Sequence, residues 1–77
     1  MNKVRRKTIN DLAAKLEDIM NELEWVRDEE QDALDNTPES LWDTDRYTTG
    51  EEAVSNLEEA IGNIQEALDY MCETADA

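Results

Sequence analysis

Residues 51–71, EEAVSNLEEAIGNIQEALDYM, are three consecutive seven-residue words: EEAVSNL, EEAIGNI and QEALDYM. The fourth and seventh residues of each word are large and apolar, giving Val54, Leu57, Ile61, Ile64, Leu68 and Met71. Alternating steps of three and four keep these six on one helical stripe, the seam of a coiled coil. The third residue of every word is alanine (Ala53, Ala60, Ala67), and a column of small side chains beside a seam lets a neighbouring helix approach closely. This helix is therefore expected to touch two partners. Thr48 or Thr49 is expected to cap its start, since Glu51 and Glu52 follow at capping-box spacing. Gly62 interrupts the pattern at a cost of about 1 kcal/mol relative to Ala, which points to a close contact there.

The first half of the chain repeats the period without the copied words. Ile9, Leu12, Leu16, Ile19, Leu23 and Val26 step by three and four, and the register runs on through Glu30 to Ala33. The expected fold is all-α: an antiparallel helical hairpin with a helix over about 4–34, a loop over about 35–49 and a second helix over about 50–73. Ala13, Met20 and Trp25 lie off the first helix's main seam and widen its apolar stripe beyond what one partner covers. A chain of 77 residues buries a modest core, and a single cysteine rules out an internal disulfide. The surplus apolar surface predicts a homodimer in which two hairpins form a four-helix bundle.

The connection, DNTPESLWDTDRYTTG, reads as a helix stop followed by one short turn over 38–42, with Pro38 at its start. That turn is expected to bring Leu41 and Trp42 over the end of the bundle. So long an unstructured connection is unusual in a small domain, which favours a packed or functional loop.

Charge is the strongest compositional signal, with seven Lys and Arg against twenty-one Asp and Glu and a formal net charge of −14. It is unevenly placed. Residues 1–16 hold Lys3, Arg5, Arg6, Lys7 and Lys15 against Asp11 alone, whereas residues 17–77 hold only Arg27 and Arg46 against all the remaining acids. Such a field disfavours direct binding of nucleic acid or an anionic membrane and attracts basic protein surfaces. The acids are densest in RDEEQDALD, where Asp28, Glu29, Glu30, Asp32 and Asp35 crowd the end of the first helix. Like charges at i, i+4 destabilise a helix, yet Asp18 faces Glu22, Glu24 faces Asp28, and Asp28 faces Asp32. A surface that accepts this repulsion is expected to meet a basic partner. At the other end, Arg5, Arg6 and Lys7 either neutralise Glu73 and Asp76 across the hairpin or form an anion-binding site.

Little here suits catalysis. There is no histidine, no Gly-rich phosphate loop and no Ser or Cys with a base to activate it, so the chain is read as a non-enzyme without cofactors. Glu29 with Asp32 and Glu66 with Asp69 have magnesium-ligand spacing, but no Glu-x-x-Glu accompanies them, and no metal site is assigned. Cys72 is read as a half-buried structural thiol. No segment has the length and apolarity to span a bilayer, and a cytoplasmic protein is expected.

The basic start Asn2–Lys7, the loop Asp35–Leu41 with Arg46 nearby, and the helix Glu51–Ile61 together resemble short acidic helical proteins of phages and prophages of Gram-positive bacteria. Their pattern is an NKxRRK-like start, a DNxPESL loop and an EEAxxNLEEAI helix. The resemblance implies a phage origin, action inside the bacterial host, and no catalytic residues. Small acidic phage proteins also resemble anti-defence inhibitors, including anti-CRISPR proteins, that occupy a nucleic-acid groove. This implies a stoichiometric inhibitor of a host defence or nucleic-acid-handling enzyme, acting as a nucleic-acid mimic through Asp28, Glu29, Glu30, Asp32 and Asp35. Trp42, Asp43, Asp45 and Tyr47 would add contacts from the loop. Two alternatives stand beside it. One is a sponge for a cyclic-nucleotide immune signal, which the LEEAI run over Leu57–Ile61 resembles and which would use Arg5, Arg6 and Lys7. The other is a structural or adaptor coiled coil.

Overall fold

The computed structural model describes residues 1–77 as two long helices folded against each other in a rod of 59 × 14 × 13 Å. Helix α1 spans Lys3–Asp35, a single 3-10 turn spans Glu39–Leu41, and helix α2 spans Asp45–Asp76. There are no strands, and α1 and α2 pack antiparallel as a hairpin. No helix is long and apolar enough to cross a membrane.

Asn2 caps α1, its Oδ1 accepting from the Arg5 main-chain N–H at 2.8 Å. The helix ends where Thr37 precedes Pro38, a residue that disfavours helical backbone before it. Asn36 closes the last turn by donating from its main-chain N–H to the Asp32 carbonyl at 3.0 Å. Helix α2 begins earlier than the capping-box spacing suggests. Thr44 is the cap, its Oγ1 accepting from the Tyr47 main-chain N–H at 3.3 Å, whereas Thr48 and Thr49 lie inside the helix. Asp45 in the first turn complements the positive end of the α2 dipole, which helps the helix start there. The connection therefore shrinks to 36–44, with its one turn inside the expected 38–42.

The α2 seam lies where the repeat puts it. Val54 and Leu68 are buried, and Leu57, Ile61, Ile64 and Met71 are half-buried against α1. The α1 seam does not. Leu12, Ile19 and Val26, expected in the interface, remain 49%, 50% and 51% exposed. The inner face of α1 is instead Ile9, Ala13, Leu16, Met20, Leu23 and Leu34. Leu34 is held under Gly50 at the closed end of the hairpin. Because Ala13, Met20, Arg27 and Leu34 recur every seven residues, burying Leu34 turns that whole column inward and turns Leu12, Ile19 and Val26 outward.

Two smaller expectations also fail. Cys72 is exposed, since it follows Met71 and is rotated off the seam. A β-carbon on Gly62 would meet nothing within 4 Å, so this glycine marks no close contact within the hairpin. The core is thin: six residues are buried, Met20, Leu34, Gly50, Val54, Leu68 and Ala75, and none is completely enclosed.

Candidate interaction surface

The acids of α1 divide by helical phase. Asp28, Glu29, Asp32 and Asp35 are exposed, whereas Glu30 is half-buried and turned towards α2, with Oε1 only 2.7 Å from where a Gly50 β-carbon would stand. Glu30 is thus part of the hairpin junction rather than of the open acidic face. Asp28 holds Arg27 at 3.1 Å, and Asp35 accepts from Gln31 Nε2 at 2.9 Å. No other basic residue pairs with them: the chain has two ion pairs in all, and the last turn of α1 contains no cation. The acids therefore add to the negative end of the helix dipole, and only Arg27 and the nearby Arg46 offset the field at this end of the rod.

Trp25 completes this face. It is 73% exposed, one turn before Asp28 and Glu29 and on the same column as Asp18 and Asp32, which lie one heptad away on either side. The apolar pattern suggested that Trp25 widens a packing stripe, but it stands on the side of α1 away from α2. The signal in the sequence was its neighbours: a tryptophan flanked by acids at heptad and helical-turn spacing.

The loop aromatics behave differently. Trp42 and Tyr47 stack on each other with ring centroids 6.1 Å apart and planes at 24°. The indole Nε1 of Trp42 donates to the Thr37 main-chain oxygen at 3.1 Å, and 47% of the residue is exposed. Tyr47 lies within α2 rather than in the loop and is half-buried. This pair fastens the connection to the start of α2. Asp43 is exposed in the connection, and Asp45 is the first residue of α2. Beneath them, Glu30, Ala33, Leu34, Pro38, Leu41 and Tyr47 are among the residues around an open hollow of about 570 Å³, with Arg46 at its edge.

At the opposite end, the expected pairing of Arg5, Arg6 and Lys7 with Glu73 and Asp76 is not made. Lys7 pairs with Asp11 on its own helix at 2.9 Å, because i, i+4 spacing puts them side by side. Arg6 Nη2 donates to the Ala77 main-chain oxygen at 2.6 Å, which does tie the two helix ends together. Arg5 has no acidic partner within the chain. No group of three or more side chains comes together with the makings of a metal site.

No family model matches this sequence, and neither a curated protein nor a solved structure is significantly similar to it.

Proposed function

We propose that this protein is a stoichiometric inhibitor that binds the basic, nucleic-acid-holding surface of a bacterial defence enzyme, and that it is phage-encoded and works as a dimer of hairpins. The observation that carries this reading is Trp25: a tryptophan 73% exposed among Asp28, Glu29 and Asp32 on a rigid helix. Large rigid aromatics are the commonest anchors of protein interfaces, and surrounding charge sets which partner approaches. Carboxylates at helical spacing along α1 offer a row of negative charge to a groove built for phosphates. Opposed charge would speed the encounter and make it sensitive to salt.

The nucleotide-sponge alternative draws no comparable support. Of its three candidate cations, Lys7 is engaged by Asp11 and Arg6 by the Ala77 main chain, and the hollow at Glu30–Tyr47 lies at the other end of the rod.

The test is capture from a bacterial extract on the immobilised protein, eluted with a salt gradient, using the native chain beside the triple substitution Asp28→Asn, Asp32→Asn, Asp35→Asn. A basic nucleic-acid-binding protein retained by the native chain and lost by the triple variant is the expected result. Equal retention by both would remove the acidic face from the mechanism.

A further inference from the structure

One face of the hairpin is apolar and exposed. On α1, Leu12, Ile19, Val26 and Ala33 form an exposed column with a seven-residue repeat, flanked by the half-buried Ile9, Leu16, Leu23 and Glu30. On α2, Ala53, Ala60 and Ala67 form a parallel column of small residues, which Arg46 begins one heptad earlier. Ala33 and Arg46 line the same hollow, so the two columns share one side of the rod. Gln31, Glu51, Ser55 and Glu58 line a groove on the other side, which is polar.

The charges of α1 say what covers the apolar side. Cations fill its first turn and acids its last, so both ends oppose the helix dipole, and the first turn holds no acid and the last no base. This arrangement is unfavourable in an isolated helix and becomes complementary when a second α1 lies beside it in the opposite direction. We infer that the apolar face binds a second copy of this chain through antiparallel α1 helices, with Leu16 of one protomer opposite Ile19 of its partner. This deepens the dimer part of the proposed function and rests on none of its claims about a target.

The register follows from the column spacing. In an antiparallel coiled coil the two seam columns meet each other. With Leu16 opposite Ile19 of the partner subunit, Leu12 meets Leu23 of the partner subunit and Ile9 meets Val26 of the partner subunit. The next layer brings Arg5, which has no acidic partner in its own chain, to Glu30 of the partner subunit, a half-buried carboxylate at the boundary between that subunit's hairpin junction and its exposed column. Beside the seam, Lys15 falls near Glu22 of the partner subunit. Shifting the antiparallel pair by one heptad one way would put Glu30 on Leu12 and carry Arg5 past the end of the opposing helix, and the other way would put Arg5 on Leu23 and carry Glu30 past the start of it. A parallel in-register pair would set Arg5 on Arg5 and Glu30 on Glu30. Only the first register joins apolar layers and opposite charges together. Asp28, Asp32, Asp35 and Trp25 remain on the outside, free for another partner.

The test is sedimentation equilibrium of the purified full chain without any target, so its outcome is independent of the inhibitor reading. The expected species has twice the 8.9 kDa chain mass. Ile19→Asp, at a position half exposed in the hairpin, is expected to give a monomer of unchanged helicity. Arg5→Glu and Glu30→Arg should each weaken the dimer about tenfold, since symmetry doubles the lost pair, and mixing the two variants should restore it. Direction is read separately by oxidising Arg5→Cys with Glu30→Cys, both in a Cys72→Ser background. A disulfide between the two variants is expected. A native chain monomeric at high micromolar concentration, a dimer indifferent to Ile19→Asp, or predominant disulfides between two Arg5→Cys chains would each overturn the inference.

Discussion

Gly50 lies directly against Leu34: a β-carbon added to Gly50 would stand 2.8 Å from Leu34 Cδ2, closer than carbon atoms pack. The absent side chain lets α2 pack against Leu34 and the Glu30 carboxylate at the closed end, a contact that fits the rotation of α1 in which Leu34 faces inward. Gly50→Val should therefore destabilise the hairpin by about 1–3 kcal/mol through overpacking, measured by urea unfolding. No loss of stability would mean that the α1 phase is set elsewhere.

Gly62 makes the opposite case. It sits in mid-helix with open space where its side chain would be. Gly62→Ala should stabilise the protein by up to about 1 kcal/mol, because alanine has the higher helix propensity and nothing obstructs it. A destabilisation, also read by urea unfolding, would reveal a packed neighbour at Gly62, such as a partner chain crossing there.

Met20 and Trp25 separate folding from recognition. Met20 is 8% exposed in the middle of the hairpin, and Met20→Ala should cost about 2 kcal/mol or more. Trp25→Ala should change stability by less than about 0.5 kcal/mol, as surface substitutions usually do, while abolishing retention of the basic target. Thermal unfolding and capture on the same two variants check both halves. A large loss of stability at Trp25 would place the indole in the core instead.

Trp42→Ala should loosen the connection by about 1 kcal/mol, since it removes both the stack on Tyr47 and the hydrogen bond to Thr37. Amide exchange should accelerate over 36–47 and remain slow in mid-helix. Loss of target binding without this local loosening would instead make Trp42 a contact residue.

Salt should stabilise the chain. The formal charge is −14, and two ion pairs, Lys7–Asp11 and Arg27–Asp28, set the attraction to be lost against repulsion along both helices. Raising NaCl from 0.01 M to 1 M shortens the screening length from about 30 Å to about 3 Å, so Tm should rise. A fall in Tm would show that attraction between opposite charges outweighs the repulsion.

The α2 helix was legible in the sequence because Val54, Leu57, Ile61, Ile64, Leu68 and Met71 form a single apolar stripe, and one stripe admits one inward face. Helix α1 was legible as a helix but not in its rotation. It carries apolar residues in a column on either side of Leu16 and Leu23, Leu12, Ile19 and Val26 on one and Ala13, Met20 and Leu34 on the other, and period alone does not say which faces α2. The choice depends on a contact between residues 34 and 50, remote in sequence and set by the connection. The start of α2 is ambiguous in the sequence because Thr44 and Thr48 both offer a capping hydroxyl, and the structure selects Thr44. The acidic face was visible as composition, but separating Glu30 from Asp28, Asp32 and Asp35 required knowing that rotation. Whether Trp25 packs or stands exposed depends on the same rotation.

The most direct test of the inhibitor reading is a titration of the captured basic protein, bound to its own DNA or RNA, with the native chain and with Trp25→Ala. The native chain should displace the nucleic acid completely at a fixed stoichiometry, with an affinity that weakens as salt is added, and Trp25→Ala should not displace it. If the captured protein kept its nucleic acid bound at saturating native chain, the acidic face of α1 would not act as a nucleic-acid mimic.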